Sequence, residues 1–441
     1  MEDDHIETYD LNKKIDEVEL EQPHVTISMK NMLEKLHPIS EECSIYRVSK
    51  RLHNINDMAY TPQAISIGPF HHGQKEFMAM EQLKLRFLDA YLRRVGMGIE
   101  DAFEIAQGWE TRARKCYAEH IDMKSDNFVK MMLVDGAFLV EFIRMHYQWA
   151  TMTQPNLNYT LFQAIHVDIY RDLILLENQL PFFILECLLD KCSSSTPFVL
   201  FTSTFCRWYT GARELISDKL LTKKPNHLVD FLSFYYALPT VTGKNDKLKY
   251  NKRESPPTAT ELWEAGVEFQ KATEDKRLIM DIRFKDGVLS IPHLEIHDAF
   301  ETYVRNLLAY EHYHIGDDER CLIQYVYFLD ELISTERDVS LLVKAGIITN
   351  NIGGNNEDVS KLFNDLCKDI NISCDFYYYA DISMDLHKYC ETWWHRSMAS
   401  LRRDYFNTPW AFISFLAATF LVLLTSMQAI YSAISYHKSK P

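Results

Sequence analysis

The tripeptide Glu177-Asn178-Gln179 stands between two apolar runs, Leu173-Ile-Leu-Leu176 and Leu180-Pro-Phe-Phe-Ile184. Three polar side chains in that setting have two uses. Buried without partners they would cost on the order of 1–3 kcal/mol each, so they must bond the backbone or one another. The break before Pro181 exposes carbonyls and amides that they can satisfy, and this structural use is the favoured one. The alternative is an acid-base site in which burial raises the pKa of Glu177.

The histidines form three further groups. His71 and His72 are adjacent in the turn-rich Gly68-Pro69-Phe70-His71-His72-Gly73, where neighbouring side chains diverge. That candidate turn is expected to pack a strand against the next helix, not to hold a metal. His293 and His297 flank Glu295 at a spacing of four but lack the HExxH order, and His293 follows Pro292. His312 and His314 belong to a pattern that predicts a helix ending near Gly316. Gly353-Gly354 has no following Lys-Ser/Thr and is a turn, and there is no Gly-x-Ser-x-Gly elbow. No catalytic residue, metal ligand or cofactor is assigned.

The elements around these residues are mostly helical. Phe128, Met131, Met132, Leu139, Phe142 and Ile143 recur at helical spacing after Ser125, with Asp135 and Gly136 interrupting the face. Met80, Leu83, Phe87 and Tyr91 mark another amphipathic helix. The pattern predicts a helix over 168–179 ended by Pro181, which then opens the next, 182–189. Residues 193–197 read as a loop. Thr258-Ala-Thr-Glu261 is a capping box ahead of Leu262, Ala265 and Phe269. One β-hairpin is predicted near 280–291: Asp286-Gly287 is its turn, pairing Phe284 with Leu289, Ile282 with Ile291 and Arg283 with Ser290.

The strongest signal lies near the C-terminus. No Asp, Glu, Lys or Arg occurs from Tyr405 through Tyr436. Ala411 to Ile430 alone would span roughly 30 Å at about 1.5 Å per residue, enough for the hydrocarbon core of a bilayer. Thr408-Pro409 suits a helix start, and aromatic residues sit at both ends. Ala411, Ser414, Ala418, Thr425, Gln428 and Ser432 form a stripe of small and polar residues, a candidate seam for a homodimer in the membrane.

Net charge is −15, from 62 acidic and 47 basic residues, which disfavours nucleic acid as a partner. Residues 1–42 carry twelve of the acids against four lysines and read as an acidic, partly disordered tail, of which 1–22 are expected to be solvated and mobile. Nine scattered cysteines without a CxxC pair suit a reducing compartment. The N-terminus has no basic start or apolar stretch, so it is not a secretory signal, and the anchor reads as a tail anchor with the bulk of the chain cytosolic. Two sequons, Asn158-Tyr-Thr160 and Asn371-Ile-Ser373, stand against that sidedness.

Several segments carry a resemblance. They include Ile45-Tyr-Arg-Val48, Ala59-Tyr-Thr-Pro62, Ile65-Ser-Ile-Gly-Pro-Phe-His-His-Gly73, Met80-Glu81 with Lys84, Val134-Asp-Gly-Ala-Phe138 and Leu175-Leu-Glu-Asn-Gln-Leu-Pro-Phe182. Ala259-Thr-Glu-Leu262, Ala265-Gly-Val267, Asp281-Ile282, Arg305-Asn-Leu307, Gly346-Ile347 and Pro409-Trp410 continue the series. Together they resemble the plant-specific family carrying domain of unknown function 247, from Cys43 to about Tyr436. Ser49 departs from the pattern, which expects proline there, and this loosens the turn. The resemblance implies a mainly helical plant protein with a C-terminal anchor and no established activity.

The expected organisation is an acidic tail (1–42), a helical domain (43–404) in two parts joined by a polar linker at about 240–257, an anchor (405–436) and a short tail (437–441). The expected function is protein recognition or scaffolding at a membrane, with lipid and other proteins as partners. A membrane-tethered enzyme acting through Glu177 is the alternative.

Overall fold

In the computed structural model, the described residues are 42–151, 160–191, 224–237, 255–272, 280–316, 320–370, 377–392 and 409–438, with a few isolated positions. The acidic tail, most of the 240–257 linker, the loop at 193–197 and both sequon asparagines lie outside them.

The N-terminal part is built from α1 (Lys50–His53), α2 (Met78–Val95), α3 (Ile99–Gln107), α4 (Glu110–Lys115), α5 (Ser125–Thr151), α6 (Thr160–Leu173) and α7 (Phe182–Asp190). Helix α5 is the spine, against which α2, α3 and α7 pack. Asp135 and Gly136 do not interrupt its face, contrary to the sequence pattern. Asp135 is buried in an ion pair with Lys84 of α2. A Cβ on Gly136 would lie 2.7 Å from Leu188 Cδ1, so the missing side chain is what lets α7 approach. The amphipathic pattern of α2 holds, but the most buried position on it is Lys84.

Helix α6 ends at Leu173, six residues before the predicted end. Residues 174–180 form a buried turn, and Pro181 N-caps α7. Glu177, Asn178 and Gln179 therefore lie in a loop, not on a helix.

The C-terminal part comprises α8 (Leu228–Ala237), α9 (Ala259–Glu264), β1 (Glu268–Lys271), β2 (Arg283–Lys285), β3 (Val288–Ile291), β4 (Leu294–Ile296), α10 (Phe300–His314), α11 (Cys321–Leu332), α12 (Glu336–Lys344), β5 (Ile348–Asn350), α13 (Asn356–Leu366) and α14 (Ala380–Glu391). The capping box at Thr258 and Glu261 is present. Its helix stops at Glu264, however, because Gly266 turns the chain at φ +99°, and Phe269 lies in a strand. The hairpin forms with Arg283 opposite Ser290 and Phe284 opposite Leu289. Asp286 and Gly287 both have positive φ, as a primed turn requires. Strand β1 adds in parallel to β3, and β4 pairs in parallel with β5.

One continuous apolar cluster runs from Ile45 to Leu386 and draws on both parts. Helix α15 (Pro409–Lys438) begins at proline. Its stretch Ile413–Ser432 has a mean hydropathy of 1.9 and none of it is buried within the chain, so it is long and apolar enough to cross a membrane. On the small-residue stripe, Ser414, Ala418, Gln428 and Ser432 are exposed, while the Thr425 hydroxyl is engaged by Leu421 of its own helix. The side chain of Ala411 lies outside the described residues.

Candidate functional site

A buried loop must find partners for its own peptide groups. In the turn after α6 the side chains supply them. Gln179 Nε2 donates to the carbonyls of Leu173, Leu175 and Asn178 at 2.8, 2.7 and 3.2 Å. Its Oε1 accepts from the Val229 amide at 3.3 Å, at the start of α8. Asn178 Nδ2 donates to Asp172 and Ile65 carbonyls, and Oδ1 accepts from the Ile67 amide at 2.7 Å. The Leu176 amide donates to Asn306 Oδ1 of α10 at 2.9 Å, and Asn306 Nδ2 donates to the Ala59 carbonyl at 2.7 Å.

The same logic holds the extended segment 63–68, which belongs to no strand. The Asp172 carboxylate accepts the amides of Gln63, Ala64 and Ile65 at 2.6–2.9 Å. Burial pushes its carboxyl above the usual range, against the pull of those three N–H groups. Asp135 accepts from the Gly68 amide at 2.8 Å, and Lys84 Nζ bridges Asp135 and the Ser66 carbonyl. Burial opposes the charge on Lys84, but the carboxylates of Asp135 and Glu81 outweigh it and raise its pKa. Gly68 has φ +73°, and a Cβ there would stand 2.5 Å from the Gln179 carbonyl oxygen. Asparagine, aspartate, lysine and glycine thus replace the strand neighbours that this segment lacks.

Glu177 is the one acid of the loop, and its side chain is only 3% exposed. Oε1 accepts from the Val48 amide at 2.8 Å and faces His53 Nε2 at 3.0 Å. Oε2 lies 3.3 Å from His71 Nε2, at ion-pair distance but off the hydrogen-bond angle, and 3.4 Å from Arg47 Nη1. Arg47 closes the cluster from outside: it lies over the Phe70 ring at 4.5 Å, donates to the Phe70 carbonyl, and pairs with the half-exposed Glu119 at 3.0 Å. Burial raises the carboxyl, but contacts from His71, His53 and the Val48 amide prevail and hold Glu177 below the usual carboxylate range. That is opposite to the shift a general acid needs.

The candidate turn 68–73 therefore splits. His71 joins the Glu177 cluster, Gly68 abuts the Gln179 carbonyl and bonds Asp135, and His72 is partly exposed. The other histidines are drawn elsewhere. His293 Nε2 bonds Thr349, and His314 Nδ1 bonds Tyr46. Among the described residues no three His, Cys, Asp or Glu are placed to hold a metal ion. A separate cleft of about 260 Å³ lies between the start of α10 and α13, lined by Asp298, Glu301, Asp358 and Asp365. Glu301 is taken up by Arg305 and Asn56, and Asp358 caps α13.

The residues that the sequence did not single out as a site are Arg47, His53, Asp135, Asp172 and Asn306. Two signals pointed to them: the i,i+4 pair His53 and Asp57, and polar residues set on otherwise apolar helix faces. Ser49 is also informative. Its φ of −62° suits proline, but its amide donates to Tyr313 Oη at 3.2 Å and its hydroxyl accepts from Leu52 N, so serine caps α1 and does not loosen the turn.

Segments 45–48, 59–73, 134–138, 175–182 and 305–307, which lie far apart in the chain, meet at this cluster. They all fall within residues 45–424, which match the pattern of a family described as plant protein of unknown function, domain of unknown function 247. The chain belongs to this family. Among the relatives of the family member described here, a UPF0481 protein of Arabidopsis thaliana is 27% identical, over 91% of this chain and 88% of its own length. A putative UPF0481 protein of the same plant is 23% identical over 87% and 89%. No solved structure matches the chain.

Proposed function

We propose that this chain is a membrane-tethered recognition or scaffolding module, a helical domain held at a bilayer by α15 and binding other proteins. The carrying observation is the state of Glu177. Its carboxylate accepts from the Val48 amide, faces His53 and Arg47 and has His71 at ion-pair distance, so both of its oxygens are turned to groups of the chain itself. The polar residues that drew attention as chemistry are occupied in holding backbone. The apolar surface of α15, unburied within the chain, supports the tether.

In-cell cross-linking mapped to residues tests this proposal, with wild type compared against Glu177→Gln in a membrane fraction washed with alkaline carbonate. The module predicts that both proteins stay with the membrane and cross-link to the same partner surface. If folded Glu177→Gln keeps every cross-link but loses the cellular effect of the wild type, the enzyme alternative takes its place.

A further inference from the structure

His53 ends α1, a single helical turn, and both of its ring nitrogens face carboxylates. Nδ1 lies 2.7 Å from Asp57 Oδ1, and Nε2 lies 3.0 Å from Glu177 Oε1. A neutral imidazole carries one N–H, so one of these contacts would set a lone pair against an anion. Only the imidazolium donates to both.

We propose that His53 is a proton-operated clamp, which fastens α1 and its flanks, residues 48–57, to the buried loop 174–180 and releases them as the pH rises. Glu177 supplies the fixed jaw, since it also holds the Val48 amide of the same segment. The other polar attachments of this stretch are more exposed: Arg51 to Asp369, the Ser49 amide to Tyr313, and Asn56 to Glu301. Buried bonds hold the chain on either side of it, from the Ser44 and Ile45 amides to the Cys116 carbonyl and from Asn306 to the Ala59 carbonyl.

The charged groups around His53 come from every neighbouring element. Asp57 lies in the following 3-10 turn, and the Tyr60 ring is 5.2 Å from the imidazole. Glu177 comes from the loop, bringing His71, Arg47 and, beyond it, Glu119. From α10, Glu301 reaches Asn56, and Arg305 pairs with Glu301. Burial lowers the basicity of His53, but the bonds to Glu177 and Asp57 outweigh it, so its pKa is raised. The sign follows. The clamp is fully closed below the ordinary histidine value of about 6.5 and opens as the pH passes the raised value.

Hydrogen exchange of the full chain in detergent micelles, followed on peptides covering 48–57 between pH 6 and 9 and corrected for intrinsic rates, tests the clamp. Wild type is expected to lose protection there about tenfold or more, while α5 keeps its own. His53→Lys keeps the charge across this range and should give a flat profile. Asp57→Asn, at a side chain 70% exposed, should keep the fold and move the opening midpoint to lower pH. A flat wild-type profile overturns the proposal, as does a His53→Lys profile that follows wild type. If His53→Lys does not fold, an unshifted midpoint in Asp57→Asn overturns it instead.

Discussion

Replacing Glu177 by alanine removes the acceptor shared by the Val48 amide, His53, His71 and Arg47, and leaves buried donors and charge uncompensated. Breaking a buried ion pair from one side costs about 3–5 kcal/mol. Glu177→Gln keeps the volume and one acceptor oxygen, so thermal melts should rank alanine as clearly the more damaging. The acid limb of stability follows from the same group. A depressed carboxyl contributes stability above the ordinary glutamate value of about 4.3 and loses it as the pH falls through the depressed one. Melting temperature against pH should fall on that limb in wild type and less steeply in Glu177→Gln. Lys84→Met should likewise cost about 3–5 kcal/mol by stranding Asp135, whereas Lys84→Met with Asp135→Leu should recover part of it, as a double-mutant cycle in denaturant would show. The oddity of Glu177-Asn178-Gln179 was legible from its neighbours in the chain. Its partners were not, since His53 and Arg47 stand 124 and 130 positions away.

Among the elements, three glycines separate close approach from backbone strain. Gly73 has φ +81° with open space around its Cα, so Gly73→Ala should cost only the left-handed penalty of about 1–2 kcal/mol. Gly68 adds a collision with the Gln179 carbonyl to the same strain, so Gly68→Ala should cost more. Gly136→Ala improves helix propensity but overpacks Leu188, for a net loss within the 1–3 kcal/mol of overpacked cores. Chemical denaturation of the three variants checks the order. The hairpin was legible because its turn and alternation are local. Strand β1 was not: its partner β3 follows by some twenty residues in a parallel pairing, while Leu262, Ala265 and Phe269 imitate a helical face. The end of α6 was misplaced for a similar reason. The apolar run 173–176 continues the helical pattern, yet Asn306 of α10 and the loop's own Asn178 and Gln179 satisfy the backbone in a turn.

For the whole molecule, none of the stretch Ile413–Ser432 of α15 is buried, and the apolar cluster from Ile45 to Leu386 does not include it. A chain ending before Tyr405 should therefore lose its association with membranes and keep its helical circular dichroism. Sedimentation after alkaline carbonate and a far-ultraviolet spectrum check the two halves of this statement. Loss of the helical signal would show that the anchor supports the fold. The mainly helical class and the apolar C-terminal helix were both legible, because periodicity and unbroken apolarity are properties of the chain itself. That the N-terminal and C-terminal parts share one core was not legible, since it depends on contacts such as Asn306 with Leu176 and Ala59.

That asparagine also sets a schedule for synthesis. Residues 45–178 lack one of their fastenings until Asn306 has been made, so the earlier half waits on the ribosome with Leu176 and Ala59 unsatisfied. About a hundred residues later the apolar helix emerges, an interval of roughly five to twenty seconds at synthesis rates of about 5–20 residues per second. The core is complete only with Leu386, its last member, some twenty residues before that helix, so the early fastenings form within the interval and closure comes near its end. A translational pause placed between the codons for Leu386 and Pro409 should therefore raise the yield of folded protein, and one placed before Asn306 should not.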